Sequence, residues 1–328
     1  MSDHESFSWG IAATGEIAER VGAVIAREPG MRVAAVGSRD LTRAQGLSAK
    51  LGAAHAYGSY EELVASPVVQ AIYVATPQAQ HRAVAEAAIA AGKAVLCEKP
   101  LTASLPETES LIARARDAKV FLMEGMWMRF NPLIREVATL LRRGELGQIR
   151  TVEATFGFPL PYDPAHRLWD PARGGGALLD LGIYPVALAH LLLGSPDSTT
   201  VTGTLSENKL DAHAELRMRW ANGAEADLRT SLTEWLPTRG RVVCSEGEVV
   251  IAPPFHAATR VTIRTNDGRK REHLIDNPDV AFAAQAREVR ESVLAGQTES
   301  RVMPLDDTLD VMRILEEARA TLGACAFA

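Results

Sequence analysis

Short apolar runs alternating with helical stretches fill the first third of the chain. Residues 7–12, 31–36, 71–75, 94–97 and 120–123 are rich in Val, Ile and Ala and bounded by polar, Gly or Pro positions, as buried strands are. Between them, residues 17–27, 41–51, 81–91 and 105–118 are Ala-rich and free of Pro except near a start, which predicts helices. Ser59 with Glu62, and Ser104 with Glu107, match the capping box that satisfies the orphan amides of a helix start. This alternation predicts an α/β domain over residues 1–124, a doubly wound parallel sheet of Rossmann type with helices on both faces.

Beyond that point the rhythm changes. A helical pattern at 132–143 is followed by an extended run at 149–158 and a Pro- and Gly-rich segment at 159–176. Runs at 199–205, 213–220, 224–232, 241–244, 248–251 and 260–264 then succeed one another without helices, and Asn222-Gly223 and Asp267-Gly268 are turn dipeptides of antiparallel strands. Residues 125–328 are therefore expected to form an α+β domain with an open, mainly antiparallel sheet. Helices return at 280–294 and 305–322, and the last is expected to pack back on the first domain. An open sheet must cover its outer face, so a homodimer or larger homo-oligomer built through that sheet is expected.

Composition narrows the classes. The 328 residues include 47% hydrophobic and 23% charged positions, those of a globular chain with room for two cores. The net charge of −6, with no block of Lys or Arg, lacks the footprint of a nucleic-acid binder. No stretch reads as a run of about 20 apolar residues and the first residues are acidic and polar, so no membrane partner and a cytoplasmic location are expected. Cys97, Cys244 and Cys325 are far apart and form no C-x-x-C pair, so neither a disulfide framework nor a metal site is encoded.

Candidate chemistry gathers where strands end. The first runs into Ala13-Thr14-Gly15-Glu16-Ile17-Ala18, a G-x-G-x-x-A dinucleotide fingerprint with Ala in place of the first Gly. The second ends in Ser38-Arg39, a hydroxyl and a guanidinium where an acidic side chain would bind a ribose diol, which favours NADP over NAD; Arg43 adds a second cation one helical turn on. Thr76, Pro77, Gln78 and His81 follow the strand at 71–75, at the edge where open α/β folds bind ligands. The strand at 94–97 leads into Glu98-Lys99-Pro100, an ion pair at the mouth of a buried strand, with Lys99 suited to proton chemistry and Pro100 to a cis bond. Asp180 and Tyr184, four residues apart, share a helix face, although Pro185 makes an irregular start there expected.

Taken together, Trp9-Gly-Ile-x-x-Thr-Gly-x-Ile-Ala18, Thr76-Pro77 with His81, Glu98-Lys99-Pro100, the segment Glu124–Phe130 with Trp127 and Arg129, and Gly174–Tyr184 resemble the Gfo/Idh/MocA oxidoreductases. Within the family, Trp127 and the Asp180-x-x-x-Tyr184 motif are similar to the branch of dimeric dihydrodiol dehydrogenases and NADP-dependent D-xylose dehydrogenases. Inositol-type members usually carry His where Tyr184 stands, and Ala13 departs from the common glycine pattern.

The resemblance implies a dehydrogenase passing hydride between a sugar or cyclic-diol hydroxyl and a nicotinamide, with Lys99 and Tyr184 flanking that hydroxyl. Tyr184 is then the proton acceptor, Lys99 bonds the hydroxyl and lowers the phenol's pKa, and Asp180 positions substrate; the Lys99 and Tyr184 roles are interchangeable at this stage. Trp127, Arg129, Arg167 and Trp169 are the candidate substrate-binding residues, in a small-molecule polyol or sugar site. The rival readings are an inositol or keto-sugar dehydrogenase using NAD and a non-catalytic NADP-responsive regulator; retention of Lys99, Asp180 and Tyr184 together argues against the regulator.

Overall fold

Six parallel strands build the first sheet. The computed structural model describes residues 6–325. In it β1 (Phe7–Ala12), β2 (Met31–Gly37), β3 (His55–Tyr57), β4 (Ala71–Val74), β5 (Ala94–Glu98) and β6 (Leu122–Gly125) lie in the order β3-β2-β1-β4-β5-β6. Every residue of β1, β4 and β5 is buried, as the central strands of a sheet covered on both faces must be. Their continuous apolar runs follow from that burial. Strand order reverses between β1 and β4, which leaves a crevice at their carboxyl ends.

The helices α1 (Glu16–Arg27), α2 (Leu41–Leu51), α3 (Tyr60–Ala65), α4 (His81–Ala90) and α5 (Leu105–Ala118) fill the connections. At α3 the Ser59 hydroxyl accepts the Glu62 amide, as the capping box requires. At α5 it does not: Ser104 makes no side-chain cap, and its carbonyl instead accepts the Thr102 and Thr108 hydroxyls. The sequence pattern did not show β3, which has only three residues and lies at the sheet edge, too short for a readable alternation.

The chain divides into two compact units, one running up to Trp127 and regaining Asp279–Thr308, the other holding Met128–Pro278 and the chain from Leu309 on. The sequence placed a single boundary between 124 and 125 and expected the last helix to return. The segment that joins the first unit is instead α8 (Val280–Leu294) with only the start of α9 (Leu305–Leu322). The reason is a face of Ala281, Phe282, Ala283, Ala286 and Val289 on α8, which is buried where the helix packs on α1 and β5. The Arg20–Asp279 pair (2.5 Å) and the Arg287–Glu28 pair (2.5 Å) tie the same elements together.

In the second unit β7 (Ile149–Gly157), β8 (Ser198–Leu205), β9 (Asp211–Arg219), β10 (Glu225–Ser231), β11 (Gly240–Cys244), β12 (Gly247–Ile251), β13 (Arg260–Thr265) and β14 (Lys270–Leu274) form one sheet, ordered β14-β13-β12-β11-β7-β10-β9-β8. It is antiparallel except where β7 lies parallel to β10. Along β11 and β12 buried and half-buried positions alternate, the period of a sheet with one face in the core. Packed on that face is α7 (Ile183–Leu193), which also meets α6 (Pro132–Arg142). With the turns before it, the segment Pro171–Leu193 is in fact long and apolar enough to cross a bilayer by composition, contrary to the reading of the sequence, but 78% of its most apolar window is buried inside the protein.

Candidate active site

In the first unit the turn after β1 is built for an anion. Gly15 is the N-cap of α1 in extended backbone and no side chain caps that helix, so its first amides are left for an outside acceptor. A Cβ on Gly15 would meet nothing within 4 Å. Ala13, which replaces the first fingerprint glycine, is held at a φ of 132°, a conformation natural to glycine and strained for alanine, while its amide bonds the Gly37 carbonyl at 3.1 Å. Thr14, Glu16 and Ile17 complete this turn, and Glu19, the next acid on α1, is neutralised by Lys50 at 2.8 Å. An orphaned polar atom points the same way: the buried Thr76 hydroxyl, at the end of β4, has no hydrogen-bond partner in the protein. These features fit a dinucleotide pyrophosphate.

Behind β2, Ser38 is buried and its Oγ accepts the Asp40 amide at 3.2 Å. Asp40 caps α2, its Oδ1 accepting the Arg43 amide at 3.2 Å. Arg39 hydrogen-bonds the Tyr60 hydroxyl; burial raises that phenol's pKa, against the lowering effect of Arg39 and Arg43. Two exposed guanidiniums and a phenol thus share this corner.

At the ends of β4 and β5 a buried polar web fixes the backbone. His81 is 1% exposed, with Nδ1 2.9 Å from the Pro100 carbonyl and Nε2 2.8 Å from the Thr76 carbonyl. Burial depresses its pKa against the raising effect of the two carbonyls, and the ring is wedged between the two loops. His81 therefore acts on the loops and is not itself turned to a ligand. Pro77 and Gln78 lie at the surface between Thr76 and His81. The Lys99-Pro100 bond is cis. Glu98 is buried, accepts the Tyr73 hydroxyl at 2.6 Å, and has its pKa raised by burial against the opposing effects of Tyr73 and Lys99. Glu124 accepts the Leu101 amide (3.0 Å) through one oxygen and the Thr308 hydroxyl (3.1 Å) through the other. Lys99 thus leaves β5 between fully tethered neighbours, itself half-buried. Sequence reasoning did not name Tyr73, Glu124 or Tyr60 as site residues. A buried carboxylate implies a partner, but that partner's identity lies in the pairing of strands.

In the second unit a π turn, Leu178–Gly182, carries Asp180, and Tyr184 follows in the first turn of α7. The irregular start expected from Pro185 is this turn. Arg167 holds both oxygens of Asp180, at 3.1 and 3.4 Å. Tyr184 is 7% exposed, with the His256 ring 4.7 Å and the Phe156 ring 6.0 Å away. His256, stacked on Phe156 at 4.8 Å, was not singled out from the sequence, since 72 residues separate it from Tyr184.

Three candidates for substrate contact are packing residues instead. Trp169 is 1% exposed in a cluster with Leu168, Ala177, Leu181, Ala212 and Leu232, and its Nε1 donates to the Pro161 carbonyl at 3.0 Å. Trp127 is stacked on Phe282 at 4.4 Å with the Arg20 guanidinium 6.0 Å from its ring. Arg129 is 2% exposed and donates to His190 Nδ1 at 3.2 Å, which leaves His190 Nε2 to carry the proton toward Asp310, 3.3 Å away. Among the described residues no group of His, Cys, Asp or Glu is arranged to hold a metal ion.

Comparison with known proteins agrees with this geometry. Residues 7–126 match the family model of an oxidoreductase family with an NAD-binding Rossmann fold, and residues 134–250 match the model of the GFO/IDH/MocA C-terminal domain. A trans-1,2-dihydrobenzene-1,2-diol dehydrogenase of Mus musculus is 35% identical, the alignment covering 96% of each chain. Among solved structures, a 3-ketoreductase from Actinomadura kijaniata in complex with NADP and TDP-benzene superposes with a TM-score of 0.84 at 27% identity, over 96% of this chain and 98% of the other. An aldose-aldose oxidoreductase from Caulobacter crescentus, complexed with glycerol, gives a TM-score of 0.87 at 26% identity, over 97% and 98%.

Proposed function

Because the chain belongs to the Gfo/Idh/MocA oxidoreductases, with an NAD(P)-binding Rossmann domain, we propose that it is an NADP-dependent dehydrogenase acting on a CH–OH group of a sugar or cyclic diol. The observation that carries the choice of cofactor is the corner behind β2. Arg39 and Arg43 stand where the adenosine ribose would lie, Asp40 is engaged in its helix cap, and Ser38 adds a hydroxyl. A 2′-phosphate would meet two cations there, a guanidinium chemistry that a bare ribose diol does not call for. The relative crystallised with NADP is consistent with this choice. Substrate class follows the relatives, which are named for a cyclic diol and for aldoses.

Oxidation of a carbinol takes a hydride from carbon and a proton from oxygen. When bound, the nicotinamide supplies the hydride acceptor; the protein's part is the proton and the orientation. The amides of Glu16 and Ile17 and the Thr76 hydroxyl would hold the pyrophosphate. From the family resemblance, Lys99 is assigned the hydrogen bond to the reacting hydroxyl and Tyr184 the role of proton acceptor. Asp180, oriented by Arg167, accepts a neighbouring hydroxyl of the polyol. In the same reading the open face of the second sheet is covered by another copy of the chain.

A panel of aldoses, inositols and cyclic diols, assayed at 340 nm with NADP and with NAD, tests the proposal. Turnover with NADP of at least one aldose or diol is expected. Arg39→Ala is expected to raise the KM for NADP roughly 10- to 100-fold, the worth of a charge-assisted phosphate contact, and to leave NAD nearly unaffected. Lys99→Met should lose turnover by roughly 100-fold or more while still binding cofactor. Equal loss for both nucleotides removes the role of Arg39, and a fully active Lys99→Met removes that of Lys99.

A further inference from the structure

A buried carboxylate that the proposed chemistry does not use meets the glycine run at the start of the π turn. Asp211, the first residue of β9, has no exposed side-chain surface, and its Oδ2 accepts the Leu178 amide at 2.5 Å. Its Oδ1 lies 3.7 Å from Nε of Arg319 on α9, a side chain only 2% exposed. Arg319 is held in turn by the Cys325 carbonyl at 2.6 Å and Glu316 at 3.5 Å. Burial pushes the Asp211 carboxyl up to about 6, against the opposing pull of the Leu178 amide and Arg319.

The glycines make room for this carboxylate. Gly176 has a φ of 112°, and a Cβ there would stand 2.5 Å from Asp211 Oδ1. From the other side, buried Thr230 donates its hydroxyl to the Ala177 carbonyl at 3.2 Å. No capping side chain precedes the turn, because its N-cap is Ala177 and the residue before that is Gly176. The first amide of the turn therefore depends on a group from another element. A buried ion pair is poor evidence for stability, since desolvation offsets the attraction, so its interest lies in what it fixes. Here it fixes Leu178, two residues before Asp180 and six before Tyr184.

We propose that Asp211, anchored by Arg319, is a positioning residue: from β9 it caps the π turn and so sets the orientation in which that turn presents Asp180 and Tyr184. This rests on the reading above, in which those two side chains serve the hydroxyl chemistry. Asp211 itself touches neither substrate nor cofactor.

Wild type, Asp211→Ala, Asp211→Asn and Arg319→Met, each as the full chain, are compared by hydrogen exchange with mass spectrometry over residues 177–184. The same proteins are assayed for kcat, KM and NADPH binding by fluorescence. Asp211→Ala is expected to speed exchange at 177–184 at least tenfold, with the rest of the second unit unchanged, and to lower kcat at least tenfold with the NADPH Kd within twofold. Asp211→Asn, which keeps an acceptor for the Leu178 amide, is expected to recover most of the lost kcat. Wild-type exchange at 177–184, a uniform rise across the unit, or an unchanged kcat in folded Asp211→Ala overturns the proposal. If Asp211→Ala does not fold, Arg319→Met decides by the same pattern: local acceleration at 177–184 supports the proposal, and uniform or absent acceleration overturns it. A wild type inactive on every sugar and diol defeats the functional reading instead, and the exchange data still decide whether Asp211 caps the turn.

Discussion

At Ala13 the family fingerprint and the local backbone pull against each other. The position has a φ of 132°, which costs an alanine on the order of 1–3 kcal/mol and a glycine almost nothing. Ala13→Gly is therefore expected to stabilise the first unit by roughly 1 kcal/mol, since the relief of strain exceeds the entropy that glycine adds to the unfolded chain. A chemical denaturation midpoint that rises, at constant slope, would bear this out; a lower midpoint would mean that the turn relaxes around the alanine. Other side chains were misjudged because their type was legible and their direction was not. Trp127, Trp169 and Arg129 are polar-tipped or aromatic residues near motif positions, and each is spent on packing or on an internal partner. His81 lies between these cases, in the right place but with both nitrogens turned to carbonyls of its own unit.

Among the elements, the loop that leads into the π turn shows how glycine placement is dictated by the chain itself. A Cβ on Gly175 would stand 2.6 Å from the Leu168 carbonyl oxygen, a backbone atom that cannot rotate away. Gly175→Ala is expected to cost about 1–3 kcal/mol, the usual penalty of overpacking, and to lower the melting temperature by several degrees. Gly46→Ala, on the exposed side of α2 where a Cβ meets nothing within 4 Å, is the contrasting control and should stabilise by about 0.5–1 kcal/mol. Comparable melting temperatures for the two variants would contradict this account. The Pro- and Gly-rich composition of 159–176 pointed to a loop, but not to its last glycine packing on Asp211 of β9, a contact that only the tertiary structure makes.

For the whole molecule, the open face of the second sheet carries the remaining inference. Across five neighbouring strands Thr200, Arg217, Asp227, Glu153 and Arg241 stand in register, and both signs of charge recur along the row. Arg217 pairs with Asp227 at 2.7 Å and Arg241 with Glu248 at 2.7 Å, exposed pairs that contribute little to the stability of a single chain. Thr200, Arg217, Asp227 and Glu153 line a trough of about 540 Å³ with Glu215, Arg229 and Arg239. A face with both signs is complementary to itself under a two-fold rotation, so a second copy is the expected occupant. Light scattering coupled to size exclusion at micromolar concentration should give at least twice the chain mass, and Arg217→Glu should shift it toward the single chain. A monomeric wild type would leave the face to solvent.

Strand rhythm, strand-end motifs and the break after the fifth apolar run were readable without coordinates, because burial on both faces of a parallel sheet writes itself as continuous apolar runs and the alternating sheet does not. The candidate residues at strand ends, from Gly15 to Lys99, were legible for the same reason: strand ends are local in sequence. Tertiary structure alone decided which partners those residues have. Tyr73 reaches Glu98 across two strands, His256 reaches Tyr184 across 72 residues, and α8 joins the first unit from the far end of the chain. Such pairings depend on where the backbone crosses itself in space, and no short-range pattern of residue types encodes that.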